Sequence, residues 1–588
     1  MNVAGAGGPF LPSKRIVETD LVVIGAGGAG ARAAIEASKS SSRVALVDKG
    51  LFGKSGCTAI SIGGISVAIL PDDSPEIHFR DTVVGGEFLN NQRLVDVMVS
   101  EGYDCIMELE DFGMVFARQQ DGGTLRLGQS GGHSFPRVLF EFYPDRVGMA
   151  MMRALRGEVI RRRIDVFEEV IITDLLKSEG KVVGALGLDC KTGEFIVFNS
   201  KSTVLATGGA GQLNGWETVS AITTNSLQNT GDGHALALRA GAILMDMEFI
   251  QYMPMGFVYP KIVHGVGLGE PGFESIVLKA KLYNAQMERF MKRYEPERWE
   301  RTTRDKLTRA IATEILEGRG TEHGGVYYDY RENPDYPKDR PYRYRLMTEY
   351  ASVDPTKELI EGAPTWHYFM GGVRIDQFGQ TSLEGLFACG EVTGGIHGAN
   401  RLGGNSLLDT QVFGVRAGAA AARHASKTKL TPPKDLQVSE HMKRWLHLLS
   451  VEKGIRPFKI RRSIQSIIIS KVGPFRNGAG LAEACDELSN IRLNQMPKLK
   501  VAGSSLAYNH DFIEAVETLN MLDVAEVTVS AALTRRESRG AHFRLDFPKR
   551  DDGRWLKNLL VSREDAGLKM WTEDVVLSKM QVGGEPTE

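Results

Sequence analysis

The first sustained apolar run, Leu21-Val22-Val23-Ile24, stops at a glycine turn and gives way to an alanine-rich stretch with helical periodicity. A second run, Val44-Ala45-Leu46-Val47, ends at Asp48. Strand, helix and strand over about 30 residues make a βαβ unit. Two later runs also end in small or acidic residues: VLATGG at Val204–Gly209 and GLFACGE at Gly385–Glu391. The stretch TGDGHALALRAGA, Thr230–Ala242, reads as a turn leading into an amphipathic helix. Strand pieces dispersed in this way predict an α/β fold in which a Rossmann-like nucleotide-binding domain is interrupted by an insertion.

The pattern places that insertion at 248–364, between a first part of the nucleotide domain at 1–247 and a second at 365–426. Within it, RDKLTRAIATEILEG, Arg304–Gly318, is an amphipathic helix stopped by glycine. Proline, tyrosine and charge then dominate through Tyr350, as expected of surface and loops. Helical periodicity returns at Gln437–Ser450, Lys459–Val472, Ala479–Arg492 and His510–Arg535, so 427–588 is expected to form a C-terminal helical domain.

The turn after the first strand carries chemistry. Gly25, Gly27 and Gly30 form G-x-G-x-x-G, with Gly28 between them. Gly25 permits the tight turn, Gly27 lets backbone approach a pyrophosphate, and Gly30 lets helix and strand pack closely. The helix N-terminus then stabilises phosphate charge. Asp48, closing the second strand, can accept from a ribose hydroxyl.

Composition narrows the partners. The net charge of −2 gives no electrostatic case for nucleic acid or an anionic membrane. No apolar run reaches the length of a membrane span, and the first 19 residues lack a basic start followed by an apolar core. Cys57, Cys105, Cys190, Cys389 and Cys485 are isolated, which argues against a disulfide framework, a structural metal site or an internal iron–sulfur cluster. A reducing cytoplasm is expected, or a peripheral place on the inner face of a membrane through partners. Single electrons, if they leave this chain, must pass to clusters on another subunit.

Across almost the whole chain the sequence resembles the flavoprotein subunits of succinate dehydrogenase and fumarate reductase, the group that includes L-aspartate oxidase. The resemblance is carried by VVIGAGGAG, DTVVGGEFLNN, FPRVLFEFYPDRVGMAM, VLATGGAG, NTGDGHALALRAGA, EGRGTEHGGVYYD, PTWHYFMGGV, HGANRLGGNSLLD and ESRGAHFRLDFPKRDD. It implies FAD as cofactor. Gly25, Gly27, Gly28, Gly30, Asp48 and Lys49 would hold its adenosine and pyrophosphate. Ser55, Thr58, Gly63 and Gly64 would approach the dinucleotide or isoalloxazine. Thr207, Gly208, Gly209, Asp232, Glu391, Arg401, Ser406 and Leu407 would complete the site. His367 and Arg401 would bind a substrate carboxylate, Arg401 through its two-pronged fork, with His397 beside them. The resemblance also implies a small-molecule substrate and an iron–sulfur partner subunit.

Three departures from the family pattern bear on chemistry. The covalent-flavin histidine is replaced by Cys57 in KSGCTAISIGG, so FAD is expected to be non-covalent. The family's Q-F-H-P-T-G is QYMPMG, which puts Met253 and Met255 where a histidine and a threonine bind substrate. Val263–Asn284, where the resemblance locates a proton-donating arginine, has no arginine; Leu268 or a neighbour stands at its place, and Lys279 and Lys281 are the remaining long cations. The resulting expectation is an FAD-dependent oxidoreductase subunit for a carboxylate-bearing substrate other than ordinary succinate or fumarate. Two alternatives stand beside it: a flavin electron-transfer module with no substrate of its own, and a true fumarate reductase or succinate dehydrogenase with a relocated donor such as Lys279.

Overall fold

The computed structural model describes residues 14–583 except 41, 120–121, 143–145, 216–222, 272–274, 276–277 and 566. Part of the N-terminal stretch that lacks a secretory pattern, and five positions within Val263–Asn284, therefore lie outside the described residues.

The strand Lys14–Ile24 runs parallel to Val44–Asp48 on one side, with Leu21 opposite Val44. On the other side it runs parallel to Phe195–Leu205, with Ile24 opposite Leu205. Leu21, Val22 and Val23 are fully buried. A strand covered on both faces reads as a continuous apolar run, which is why LVVI shows no alternation. Asp165–Glu168 extends one edge of this sheet, and Lys181–Asp189 and Val170–Ser178 extend the other in antiparallel order. Leu386–Ala388 returns from far along the chain to pair with Thr203–Leu205.

The glycine turn is fixed by contact distances. Gly25 has φ +100°, and a Cβ there would lie 2.4 Å from the Ala206 carbonyl oxygen. A Cβ on Gly30 would lie 1.8 Å from the Gly25 carbonyl oxygen. No larger residue fits either position without moving backbone. The helix Gly28–Ser38 is pressed onto the long helix Asn405–Lys427, where a Cβ on Gly418 would stand 2.3 Å from the Ala33 carbonyl oxygen. That contact locks the second part of the nucleotide domain onto the first.

The insertion builds its own antiparallel sheet, in the order Gly267–Gly269, Ile250–Phe257, Ile360–Phe369, Val326–Asp329, Lys281–Tyr283. The helix Arg304–Glu314 packs on it over a separate core that includes Met255, Leu268, Ile311 and Tyr328. The junction expected at 364/365 falls inside the continuous strand Ile360–Phe369. That strand pairs with Val326–Tyr328 at one end and with Ile250–Met253 at the other. Apolar periodicity could not show the join, because one strand serves both sides of it.

The C-terminal helices are Asp435–Ser450, Pro457–Lys471, Gly478–Asn490 and His510–Thr534. Beyond them the chain forms a hairpin, Lys557–Glu564 with Gly567–Asp574, that pairs with Leu244–Met245. The region 427–588 is thus helical with a terminal hairpin. Just before the hairpin, the fully buried Arg535 bridges Glu248, Glu537 and Asp246, tying this region to the start of the insertion.

Candidate active site

One cavity runs from the glycine turn to the inner face of the inserted sheet. At its nucleotide end the wall is backbone: Gly25, Gly27 and Gly28 at the helix N-terminus, then Gly63, Gly64 and Gly208. Thr58 Oγ1 accepts from the Gly28 N–H at 3.2 Å, which ties the loop after the second strand to the turn. Asp48, Ser55, Thr207, Ser406 and Leu407 also face this space. Asp48 already accepts from the Gly50 N–H at 3.0 Å and from Ser55 Oγ at 3.1 Å, which orients its carboxylate. Thr207 Oγ1 is buried and, among the described residues, lacks a hydrogen-bond partner.

Other predicted residues act from behind the wall. Gly30 does not line the cavity; it lies under the turn and allows the close packing described above. Gly209 is also off the cavity. Its missing side chain makes room for Glu391, whose Oε1 would lie 2.3 Å from a Cβ there. Glu391 itself faces the cavity and accepts from the Phe369 N–H at 3.1 Å; burial pushes its carboxyl up to about 7. Lys49 and Asp232 reach the cavity as a structural pair. The Lys49 ammonium donates to Thr230 Oγ1 and Asp232 Oδ2 at 2.7 Å each and to Glu517 at 2.8 Å, so its three N–H bonds are committed.

At the other end side chains converge from four segments. Arg401 lies over the Tyr368 ring at 4.6 Å and donates Nη1 to Leu402 O and Ser406 Oγ, both at 3.2 Å. Its Nε is buried and, among the described residues, has no partner. His367 Nδ1 lies 2.6 Å from Thr224 Oγ1. Burial, then the charges of Arg304 and Arg401, hold its pKa well below the ordinary histidine value, so the ring is neutral. Met253 also lines this end, while Met255 is buried in the core of the insertion. In an unbroken strand residues two apart share a face. A register irregularity between Met253 and Gly256 breaks that alternation, and the two methionines part. His397 is off the cavity as well, buried edge-on to Tyr368 with Nε2 3.6 Å from Asp409.

The cation missing from Val263–Asn284 comes from elsewhere. Arg304, the first residue of the helix Arg304–Glu314, reaches the cavity with its guanidinium buried. Its Nε and Nη2 donate to Glu270 Oε2 at 2.9 and 2.6 Å, and Nη1 donates to Gln251 Oε1 at 3.0 Å. Gln251 in turn donates to the Arg401 carbonyl at 2.7 Å, so one amide sets the spacing of both arginines. Ser130 Oγ and the Gly131 N–H complete the shell of Glu270, at 3.0 and 3.1 Å. Although burial raises it, Glu270 is held below the ordinary carboxylate range by Arg304, Ser130 and Arg401. Burial, then Arg304, brings Arg401 down to about 9. Two buried guanidiniums and one carboxylate thus stand together at this end of the cavity, an arrangement suited to an anion. The lysine alternatives are excluded by position: Lys279 is exposed and Lys281 pairs with Glu332, both off the cavity. Leu268 packs in the insertion core.

Residues 20–407 match the family described as FAD binding domain, and residues 461–587 the family described as fumarate reductase flavoprotein C-term. One subunit of the fumarate reductase (CoM/CoB) of Methanothermobacter marburgensis is 42% identical over 555 residues, covering 93% of this chain and 98% of that protein. This chain belongs to the succinate dehydrogenase/fumarate reductase flavoprotein family. The succinate dehydrogenase flavoprotein subunit of Rickettsia felis is 35% identical, with 93% of each chain covered. A structure of E. coli quinol fumarate reductase superposes with TM-score 0.89 at 31% identity, over 98% of this chain and 99% of that one.

As a family member the chain binds FAD, and its residues fit that group. The glycine cradle leaves the room a pyrophosphate needs, and Thr207 and Glu391 line the same space. Cys57 lines the cavity with Sγ 3.1 Å from Asn225 Oδ1. Burial, then the charge of Glu391, pushes its thiol far above the ordinary range, so it is not a thiolate nucleophile. Sequence reasoning did not find Arg304 or Glu270. The available signal was a charge opening an amphipathic helix, TTRDKL, which reads equally well as a solvated helix start.

Proposed function

We propose that this chain is the flavoprotein subunit of an oxidoreductase that interconverts a small unsaturated carboxylate and its saturated form, with fumarate and succinate as the type substrates. The observation that carries this reading is the buried convergence of Arg304, Arg401 and His367 at one end of the FAD cavity. Arg401 binds a substrate carboxylate through the part of its guanidinium that lines the cavity, and neutral His367 lends a hydrogen bond. Arg304 holds the proton for the alkene carbon, and Glu270, on its Nε and Nη2, returns a proton to it after each turnover. FAD bound in the cradle supplies the hydride chemistry.

The case against fumarate rested on a missing proton donor and on Met253 and Met255 at the places of a histidine and a threonine; Arg304 answers the first of these. The electron-transfer alternative gives no reason to keep the buried Arg401 guanidinium on the cavity wall with, among the described residues, no salt bridge of its own, a costly arrangement without an anion to bind. All five cysteines are free and isolated, which supports an iron–sulfur partner as the electron route. Among the described residues no helix is long and apolar enough to cross a membrane, in keeping with a chain in the cytoplasm or held on a membrane by partners.

The test is turnover of fumarate by the FAD-loaded chain with reduced viologen dye, and of succinate with an artificial oxidant. Rates in the ordinary enzyme range of about 1–10³ s⁻¹ support the reading. No turnover of either compound removes it.

A further inference from the structure

Met253 leaves the substrate end of the cavity without the donor that a histidine would supply there. A different histidine reaches the same cavity from the connection between the strands Ile250–Phe257 and Gly267–Gly269. His264 lines it together with Gly265, Val266 and Gly267. The connection is held in place by its own backbone. The Gly265 N–H donates to Phe257 O at 3.0 Å, Val266 N–H to Val263 O at 3.1 Å, and Phe257 N–H to Val266 O at 2.9 Å.

At Gly267 this loop approaches the carboxylate end. A Cβ on Gly267 would lie 3.6 Å from Thr224 Cγ2, and Thr224 Oγ1 holds His367 Nδ1. His264 is partly buried, and among the described residues its ring has no hydrogen-bond partner. Burial, then Lys261, keeps its pKa below the ordinary histidine value, so it stands ready as a neutral N–H donor. Gly265 beside it has φ +86°, a conformation that favours glycine and sets the turn carrying the imidazole.

We infer that His264 is a specificity-determining residue: its imidazole takes the distal carboxylate of a dicarboxylate whose first carboxylate lies on Arg401. The inference deepens the function proposed above and rests on its carboxylate reading of the site. A substrate with one carboxylate leaves His264 without a partner. A dicarboxylate satisfies both ends of the chamber, and discrimination between the two follows from that difference.

The experiment titrates the full FAD-loaded chain, with its flavin oxidised, and follows flavin absorbance. The ligands are fumarate and crotonate, which carries a methyl group in place of the distal carboxylate. Neither can reduce oxidised flavin, so the signal is binding alone. In His264→Ala, fumarate binding should weaken on the order of tenfold, the scale of one lost hydrogen bond to a charged group. Crotonate binding should stay within about twofold, and His264→Asn, which keeps a donor, should recover part of the loss. Unchanged fumarate binding in His264→Ala, or equal losses for fumarate and crotonate, would overturn the inference. If wild type binds fumarate through His264 but does not turn it over, the assignment of His264 stands and the redox reading falls. If fumarate leaves the wild-type flavin spectrum unmoved, both fall.

Discussion

The two ends of the cavity are built by different means. The nucleotide end is a backbone surface, in which Gly25, Gly27 and Gly28 lie within four consecutive residues; Gly25 is constrained by the packed backbone behind it and Gly27 by the approach it leaves open. The substrate end is a side-chain surface, in which Glu270, Arg304, His367 and Arg401 come from four segments spread over more than a hundred residues. A backbone site must be written locally, because a tight turn and a close approach leave no choice of residue. A side-chain site needs only that a charged atom arrive, and a long arginine can arrive from many places.

The largest effects are expected at the glycines. Gly30→Ala should destabilise the chain by upwards of about 4 kcal/mol, because its Cβ would lie 1.8 Å from a backbone oxygen. Gly27→Ala should behave differently. The nearest atom to a Cβ there is Thr58 Oγ1 at 3.7 Å, so the protein should fold yet lose FAD affinity, since the methyl occupies the approach path of the pyrophosphate. Thermal melts paired with FAD content check both. Equal melting losses in the two variants would erase the distinction between a packing glycine and a contact glycine.

At the side-chain end Arg401→Ala should weaken fumarate binding on the order of a hundredfold, the scale for deleting a buried partner of a carboxylate. FAD content should stay close to wild type. A loss of flavin with intact fumarate affinity would move Arg401 from substrate to cofactor.

A smaller effect is expected in pH dependence. The Glu391 carboxyl sits at about 7 in the folded chain against an ordinary 4.5, with burial as the main cause. A raised carboxyl binds its proton more tightly folded than unfolded. Its contribution to stability is therefore complete below pH 4.5 and is lost as pH rises to about 7. In FAD-free protein, Glu391→Gln should flatten the fall of stability across this window, by an amount on the order of 3 kcal/mol. Asp246, also raised to about 7 by burial, leaves a residual slope. Denaturant midpoints measured against pH decide it, and an unchanged slope would mean that Glu391 ionises freely. The smallest effect is expected at Cys57. FAD should be released completely by acid precipitation, and Cys57→Ala should hold as much flavin as wild type. Flavin retained in the pellet would show a covalent bond.

The layered α/β fold, the insertion and the C-terminal helices were legible because apolar periodicity reports elements directly. The hairpin Lys557–Asp574 was not, since its second strand alternates between partly buried and exposed residues and carries no apolar run. The split between Met253 and Met255 was hidden because alternation predicts a shared face and only the register irregularity between Met253 and Gly256 separates them. Arg304 was hidden by distance. The family motif directs attention to Val263–Asn284, and the arginine that fills the cavity comes from the helix beyond it. The loss of a motif residue there did not mean the loss of its charge.

In the proposed reaction Arg304 holds the proton that the alkene carbon receives. The direct measurement is fumarate turnover by Arg304→Gln beside wild type, with reduced viologen as electron donor and FAD content and oxidised-flavin fumarate affinity measured on the same samples. The account predicts a fall in kcat of about 10²–10⁴-fold, with flavin retained and fumarate affinity changed far less than in Arg401→Ala. A variant that keeps more than about a tenth of wild-type kcat, where a positioned acid typically contributes ~10²–10⁴-fold, would contradict it and return the proton source to water or another residue.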